Sequence, residues 1–543
     1  MKKRHIHLVW MLIATLLTLA GIYTGYKLSF RQPAGMSLKD IRQTNKVDEL
    51  LQFIREHYVD QIDVDSLVDR MINDIMAQLD PHSVYIPKKE SASVRETMQG
   101  NFVGLGVEFQ MDADTFTVLR VIPHSPAQKA GIRPFDQILC IDRDTVAGKN
   151  VPLDSIVNRL KGPLDSRIEL CVRRPARDSV FRVRVRRDKV PLTSVPAAFM
   201  INDTLGYIRL EIFSETTHDE FLRALERLKK QGLRALVLDL RGNSGGYLKQ
   251  AGLLADEFLP AGNLIFYTKN HDKLIRKVYA TGRGEFEEGP LYVLIDENTA
   301  SAAEIVAGAL QDNDRATIIG RRSFGKGLVQ EEIQLKDGSM MRITTARYYT
   351  PSGRCIQRPY RKGHQVEYEN DFYKRYANGE LFSRDSIKVN DSLQFRTKKG
   401  RIVFGGGGIV PDIFVPLDKN YLNQSYELIY LRHTLNKILR DYVRLHYDDL
   451  LNLTRDQYVH SDTIPTGLFR FMLQRTGRDT TDYPPERVRR FENFLHAVLG
   501  RNLFGTDVYQ QIRLQTDPMI RRILHPADTT AETPVQDSIP HAS

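Results

Sequence analysis

Three stretches of this chain combine residue types that could carry out acyl transfer. In Asp296-Glu297-Asn298-Thr299-Ala300-Ser301-Ala302-Ala303-Glu304, a serine lies where the apolar run Leu291 to Ile295 gives way to a helical pattern beginning near Ala300. A hydroxyl at a strand-to-helix turn projects from a rigid edge, and helix N–H groups beside it can receive negative charge, which makes Ser301 a candidate nucleophile. The competing reading is structural: Ser301 with Glu304 three residues on is also a capping box, in which the serine only caps the helix. Small Ala300, Ala302 and Ala303 leave room for a substrate backbone.

A serine needs a base, and no histidine lies nearby in the sequence. Gly320 to Gly327 reads Gly-Arg-Arg-Ser-Phe-Gly-Lys-Gly, which departs from the phosphate-binding pattern GxxxxGK[ST] at Gly327, where the magnesium-binding hydroxyl belongs. Lys326 is the alternative base, provided burial brings its pKa from about 10.4 down to roughly 7 or 8. Gln330, four residues on, falls on the same side as Lys326 in a strand or a helix, and its neutral amide could orient the amine without restoring its charge. The third stretch is Asp239-Leu240-Arg241-Gly242-Asn243-Ser244-Gly245-Gly246. Glycines after a strand let backbone N–H groups approach a developing oxyanion, although the cluster would also serve as a plain turn.

The elements that must position these residues alternate in type. Gly206 to Leu210 reads as a strand, Asp219 to Lys230 as an amphipathic helix and Ala235 to Leu240 as a short apolar strand. Leu291 to Ile295 precedes a helix from about Ala300 to Leu310, and Leu328 to Leu335 faces Met340 to Tyr349 across Lys336-Asp337-Gly338-Ser339. Such alternation indicates an α/β layered domain. Upstream, Val47 to Leu79 predicts two amphipathic helices broken at Asp60 to Asp63, and Asp80-Pro81 stops the second. Phe102 to Val190 predicts a β-rich module. After Pro416 the pattern is helical to about Leu524, and Thr529 to Ser543 reads as a disordered tail.

With these motifs in place, the chain resembles the C-terminal processing peptidases, also called tail-specific proteases, from about Val47 to Pro416. The resemblance rests on Leu79-Asp80-Pro81-His82-Ser83, Asp239 to Gly246, Asn298 to Glu304, Lys326 with Gln330, and Gly405 to Val415. It also rests on a stretch whose order of elements resembles PDZ domains: Gly104-Leu105-Gly106-Val107, Ser125-Pro126-Ala127, the strand Asp136 to Asp142 and the helix Leu153 to Leu160. The resemblance implies a Ser301–Lys326 dyad supported by Gln330, and an oxyanion hole from the N–H of Ala302 with that of Gly245 or Gly246. It implies that the Gly104 to Val107 loop receives the terminal carboxylate of a protein substrate, added as a strand. The expected fold class is α/β, laid out as a helical region (40–100), a PDZ domain (101–190), a peptidase core (191–418), a helical extension (419–525) and a tail (526–543). The extension is longer than the family core requires and takes no role from it; self-association and partner docking both stay open.

Composition narrows the classes further. At 543 residues several cores are expected, and 41% apolar with 27% charged residues is ordinary for globular domains. The net charge of +10 comes with no nucleic-acid motif, and basic Arg182 to Lys189 alternates with valine as a strand with one solvated face does. Cys140, Cys171 and Cys355 form no CxxC pair, and the histidines form no HExxH, so neither a metal nor another cofactor is expected. Basic Lys2 to Arg4 precedes the charge-free apolar run Leu8 to Tyr26, whose 19 residues just span a hydrocarbon core of roughly 30 Å. The expectation is a segment (1–30) that anchors the protein to the bacterial inner membrane in a single pass, with periplasmic working domains. An anchored PDZ scaffold that has lost activity is the rival to the peptidase. Retention of Ser301, Lys326 and Gln330 together favours the enzyme.

Overall fold

The computed structural model describes residues 45–112, 114–418, 435–477, 479, 481 and 483–526. Residues up to Asp74 belong to one compact unit and residues from Ile75 to another. In the first, helix Asn45–His57 is followed by the start of helix Val64–Ala77, where Asp63 Oδ1 accepts from the N–H groups of Asp65 and Ser66 at 3.1 and 3.3 Å. The polar break expected at Asp60 to Asp63 is therefore a helix cap.

The second unit is built around a six-stranded sheet in the order Ala197–Met200, Leu205–Arg209, Ala235–Asp239, Leu291–Ile295, Thr317–Gly320, Ile413–Phe414. The first pair is antiparallel and the rest are parallel. Side chains alternate between its faces. Leu236, Leu238, Val293 and Ile295 pack with Phe221, Leu225, Leu254 and Val306 of three helices, while Tyr207, Val237, Leu294 and Ile319 face Leu514, Met519 and Ile520. Both faces are covered, which is why these strands read as unbroken apolar runs.

A second, antiparallel sheet is organised by the ten-residue strand Met340–Tyr349, which pairs with Val84–Ile86, Leu264–Asn270 and Leu328–Gln334; Ile275–Tyr279 adds to Leu264–Asn270. The β-rich module forms an antiparallel sheet with Val107–Asp112 at its edge, and helix Leu153–Leu160 places Ile156 and Leu160 in that module's own core. From Leu435 the chain is helical, and its core takes in Phe135 of the β-rich module.

The α/β class holds, with the helical extension in place. The expected membrane placement is corrected. Among the described residues no helix is long and apolar enough to cross a membrane. The longest, Pro485–Phe504, carries Glu486, Arg487, Arg489, Arg490, Glu492 and Arg501, charges that a hydrocarbon core rejects. Leu8 to Tyr26 and the expected tail lie outside the described residues. A single-pass anchor in the inner membrane with periplasmic domains therefore has no support in the fold.

Candidate active site

Ser301 sits between strand Leu291–Ile295 and helix Ala302–Asp312, with φ 54° and ψ −115°. Positive φ costs a non-glycine residue of order 1–3 kcal/mol, so its surroundings must hold it there. They do so from several sides: Ala300 N–H donates to Asn243 O at 2.8 Å, Thr299 Oγ1 donates to Leu240 O at 2.9 Å, and every residue of the following helix is buried. Ser301 N–H donates to Glu304 Oε2 at 2.9 Å.

Glu304 does more than cap. Fully buried, its carboxylate also accepts from Gly325 N–H at 2.7 Å, Lys326 N–H at 2.9 Å and the Ser323 hydroxyl. Burial raises its pKa, and these donors oppose that rise. The capping box is present, and the same carboxylate also ties the serine turn to the lysine loop. The same contacts explain why the near-match to a phosphate loop fails: the amides that would cradle phosphate are committed to an internal carboxylate. Tyr348 Oη adds a second tie, donating to Lys326 O at 2.8 Å with Ser301 O also within reach of that proton at 3.2 Å.

Burial, assisted by the Arg342 guanidinium, lowers the Lys326 pKa to about 8. Its Nζ donates to Gln330 Oε1 at 2.7 Å, and Gln330 Nε2 donates to the backbone oxygen of His82. Ser301, Ala302, Lys326, Gln330, Gly245 and Gly246 all line one cleft of about 1540 Å³. No hydrogen bond joins the Ser301 hydroxyl to Lys326 Nζ; the amine is turned to Gln330. Hydrogen bonds of catalytic groups are commonly loose before substrate binds.

The two glycines of the Asp239 to Gly246 turn differ. Gly245 N–H donates to Asn243 Oδ1 at 2.8 Å, and a Cβ on Gly245 would lie 2.7 Å from Ser301 Cβ and 3.0 Å from Ala302 N. A Cβ on Gly246 would meet Phe213 O at 2.2 Å. Gly246 and Ala302 keep N–H groups without a partner among the described residues. The start of the motif has a different role. Asp239 is buried beneath Arg241, Arg209 and Tyr207, and Arg241 Nη1 also donates to Asp517 Oδ2 at 2.6 Å. Burial works to raise the Asp239 carboxyl, but the two guanidinium groups hold it well below the usual carboxylate range.

In the β-rich module, the carbonyls of Leu105 and Gly106 turn inward, accepting from Ala127 N–H at 2.8 Å and Ile122 N–H at 2.9 Å. Gly106 has φ 82°, and a Cβ there would lie 2.3 Å from Ser125 Cβ. The N–H groups of Leu105 and Gly106 have no partner among the described residues, and Val107 opens the edge strand beside them. The outward side chains of that strand meet the helical extension, Arg501 Nη2 lying 3.3 Å from Glu108 Oε2 and Asn436 donating to Gln110 Oε1.

Spacing alone brings Ser301, Lys326 and Gln330 into view, but it misses Tyr348, the reach of Glu304 and the contact with His82. The turn signal Asp80-Pro81-His82-Ser83 was the available hint for the last.

Residues 204–366 match peptidase family S41, and residues 103–185 match a PDZ domain. The chain is 36% identical over 320 residues to the carboxy-terminal-processing protease of Bartonella bacilliformis, covering 58% of this chain and 73% of that protein. It is 29% identical over 385 residues to the carboxy-terminal processing protease CtpB of Bacillus subtilis, covering 68% and 78%. Among solved structures, the photosystem II D1 C-terminal processing protease matches at 27% identity, 68% and 86% coverage and a TM-score of 0.33.

Proposed function

Because the chain belongs to the carboxy-terminal processing proteases of peptidase family S41 and is a serine peptidase with a PDZ domain, we propose that Ser301 and Lys326 form its catalytic dyad and that the PDZ domain selects substrates by their C-termini. The observation that carries this reading is the Lys326 amine: it shares a cleft with Ser301, has a pKa of about 8 and is bonded to a neutral amide rather than to a carboxylate.

When neutral, Lys326 Nζ takes the Ser301 hydroxyl proton as Oγ bonds to the scissile carbonyl carbon. The carbonyl π pair moves onto oxygen, where the Ala302 and Gly246 N–H groups receive the charge; Gly245 is less suited because its N–H already serves Asn243. Collapse breaks the C–N bond, and the leaving amine takes the proton from the Lys326 ammonium. Water then attacks the Ser301 ester, giving its proton to Lys326, and the regained proton returns to Oγ as the acid leaves. Gln330 holds the amine throughout. At the PDZ domain, the Leu105 and Gly106 N–H groups suit a terminal carboxylate, while Val107–Asp112 offers an edge for the substrate strand.

Ser301→Ala should abolish peptide hydrolysis while leaving the fold intact, and Lys326→Arg should be as damaging as Lys326→Ala, since a guanidinium stays protonated. Hydrolysis of an unfolded protein at near wild-type rate by Ser301→Ala, or by Lys326→Arg, would remove the dyad.

A further inference from the structure

Gln330 must present its carbonyl oxygen, not its amide nitrogen, to Lys326, and its own strand does not fix that choice. It pairs with Thr344 where the register shifts between Val329 and Gln330. The deciding contact comes from a distant segment: Gln330 Nε2 donates to His82 O. A lysine amine held as donor on one side and a backbone carbonyl that can only accept on the other leave one orientation of the amide.

The His82 carbonyl is held firmly. Buried Asp80 accepts through Oδ1 from the N–H groups of His82 and Ser83 at 2.8 and 3.0 Å, and through Oδ2 from the Ser83 hydroxyl at 2.6 Å, which closes the turn. Ser83 Oγ in turn accepts from Thr344 N–H at 3.2 Å, and Val84–Ile86 continues as a strand on Met340–Tyr349. On the opposite side the His82 ring shares a 2.9 Å hydrogen bond between Nε2 and Tyr368 Oη and lies edge-on to Phe324, two residues from Lys326. Burial and the neighbouring Lys326 charge lower the His82 pKa to about 3, so the ring is neutral at physiological and alkaline pH and is no base of its own. Residues 79 to 83 do not line the cleft that holds Ser301.

We propose that His82 is a positioning residue for the dyad: the Asp80 to Ser83 turn, pinned by the His82–Tyr368 contact, holds a backbone carbonyl that dictates which way the Gln330 amide faces Lys326. The proposal rests on the reading of Ser301 and Lys326 given above. A group that acts in this way affects turnover rather than binding, and it acts only through Gln330.

The test is a kinetic double-mutant cycle on the full-length protein with β-casein as substrate. Gln330→Ala and His82→Ala are each expected to lower kcat by about tenfold with KM within about twofold. The double variant is expected to be no slower than Gln330→Ala alone. Losses that multiply to about a hundredfold, or a wild-type kcat for His82→Ala, would overturn the proposal. Tyr368→Phe, which removes one hydroxyl, is run through the same cycle with the same expectations and decides the matter if His82→Ala does not fold. Ser301→Ala separates the two levels: if it is active, the dyad itself is wrong, whereas an inactive Ser301→Ala beside multiplying losses removes only the role of His82.

Discussion

A lysine can take a proton from serine only while its amine is neutral, and burial of Lys326 sets the pH at which that holds. With a pKa of about 8, the ammonium predominates below that pH and cannot accept, so kcat should rise through about pH 8 as pH increases. His82, neutral from about pH 4 upward, contributes nothing to that limb. A profile flat between pH 6 and 9 would count against Lys326 as base. Gln330→Glu tests the neutral partner: a carboxylate on Nζ favours the ammonium and should raise the apparent pKa by one to two units, lowering the rate at pH 8 by roughly five- to fiftyfold with recovery at higher pH. Unchanged activity at pH 8 would show that the amide is not needed to keep the amine neutral. At this scale the sequence is informative where residues lie close together. Lys326 and Gln330 are four residues apart, a spacing close enough in the chain to suggest their 2.7 Å contact. His82 is 248 residues from Gln330, and no spacing reveals that contact.

An edge strand attracts a partner because its N–H and C=O groups are unpaired, and under the proposed reading the Gly104 to Val107 loop at its start turns that attraction into a choice of chain ends. Amidating the C-terminus of a peptide substrate removes a charge-assisted hydrogen bond worth roughly 1.5–3 kcal/mol, so kcat/KM should fall by about one to two orders of magnitude. Equal cleavage of acid and amide would show that the Gly104 to Val107 loop does not read the carboxylate. Elements with a strong local signature are legible in the sequence. Helix Leu153–Leu160 and strand Met340–Tyr349 fall on the expected residues because apolar periodicity and a Lys-Asp-Gly-Ser turn define them locally. The hairpin of Leu264–Asn270 and Ile275–Tyr279 was not legible. Its outer strand is exposed apart from half-buried Val278, so Ile-Arg-Lys-Val-Tyr has no run of buried apolar residues to give it a pattern. Of the glycine-rich motif, the turn was readable, but the Asp239–Arg241 pair that anchors it to Asp517 depends on a residue more than 270 positions away.

The helical extension joins parts of the molecule that do not follow one another in the chain. Its Leu514, Met519 and Ile520 cover one face of the peptidase sheet, and it also packs on Phe135 of the PDZ domain, while Arg133 Nη1 donates to Tyr447 Oη at 2.8 Å. A chain ending at Asp418 would expose Tyr207, Val237, Leu294 and Ile319. Losing three large aliphatic side chains from that layer, at about 1.5–3 kcal/mol each, costs roughly 5 to 9 kcal/mol, comparable with the whole stability of many domains. The truncated protein should therefore fail to give a cooperative unfolding transition by calorimetry; one within a few degrees of the full-length protein would show that the extension is dispensable to the core. The layering also sets a timetable. Ala197 leaves the ribosome some 300 residues before Leu514, which at about 5–20 residues per second is roughly 15 to 60 s of translation. During that interval the outer face of the sheet beneath Ser301 has no cover, so the peptidase layer of a nascent chain remains unfinished until these helices emerge, well after Ser301 and Lys326 have been made.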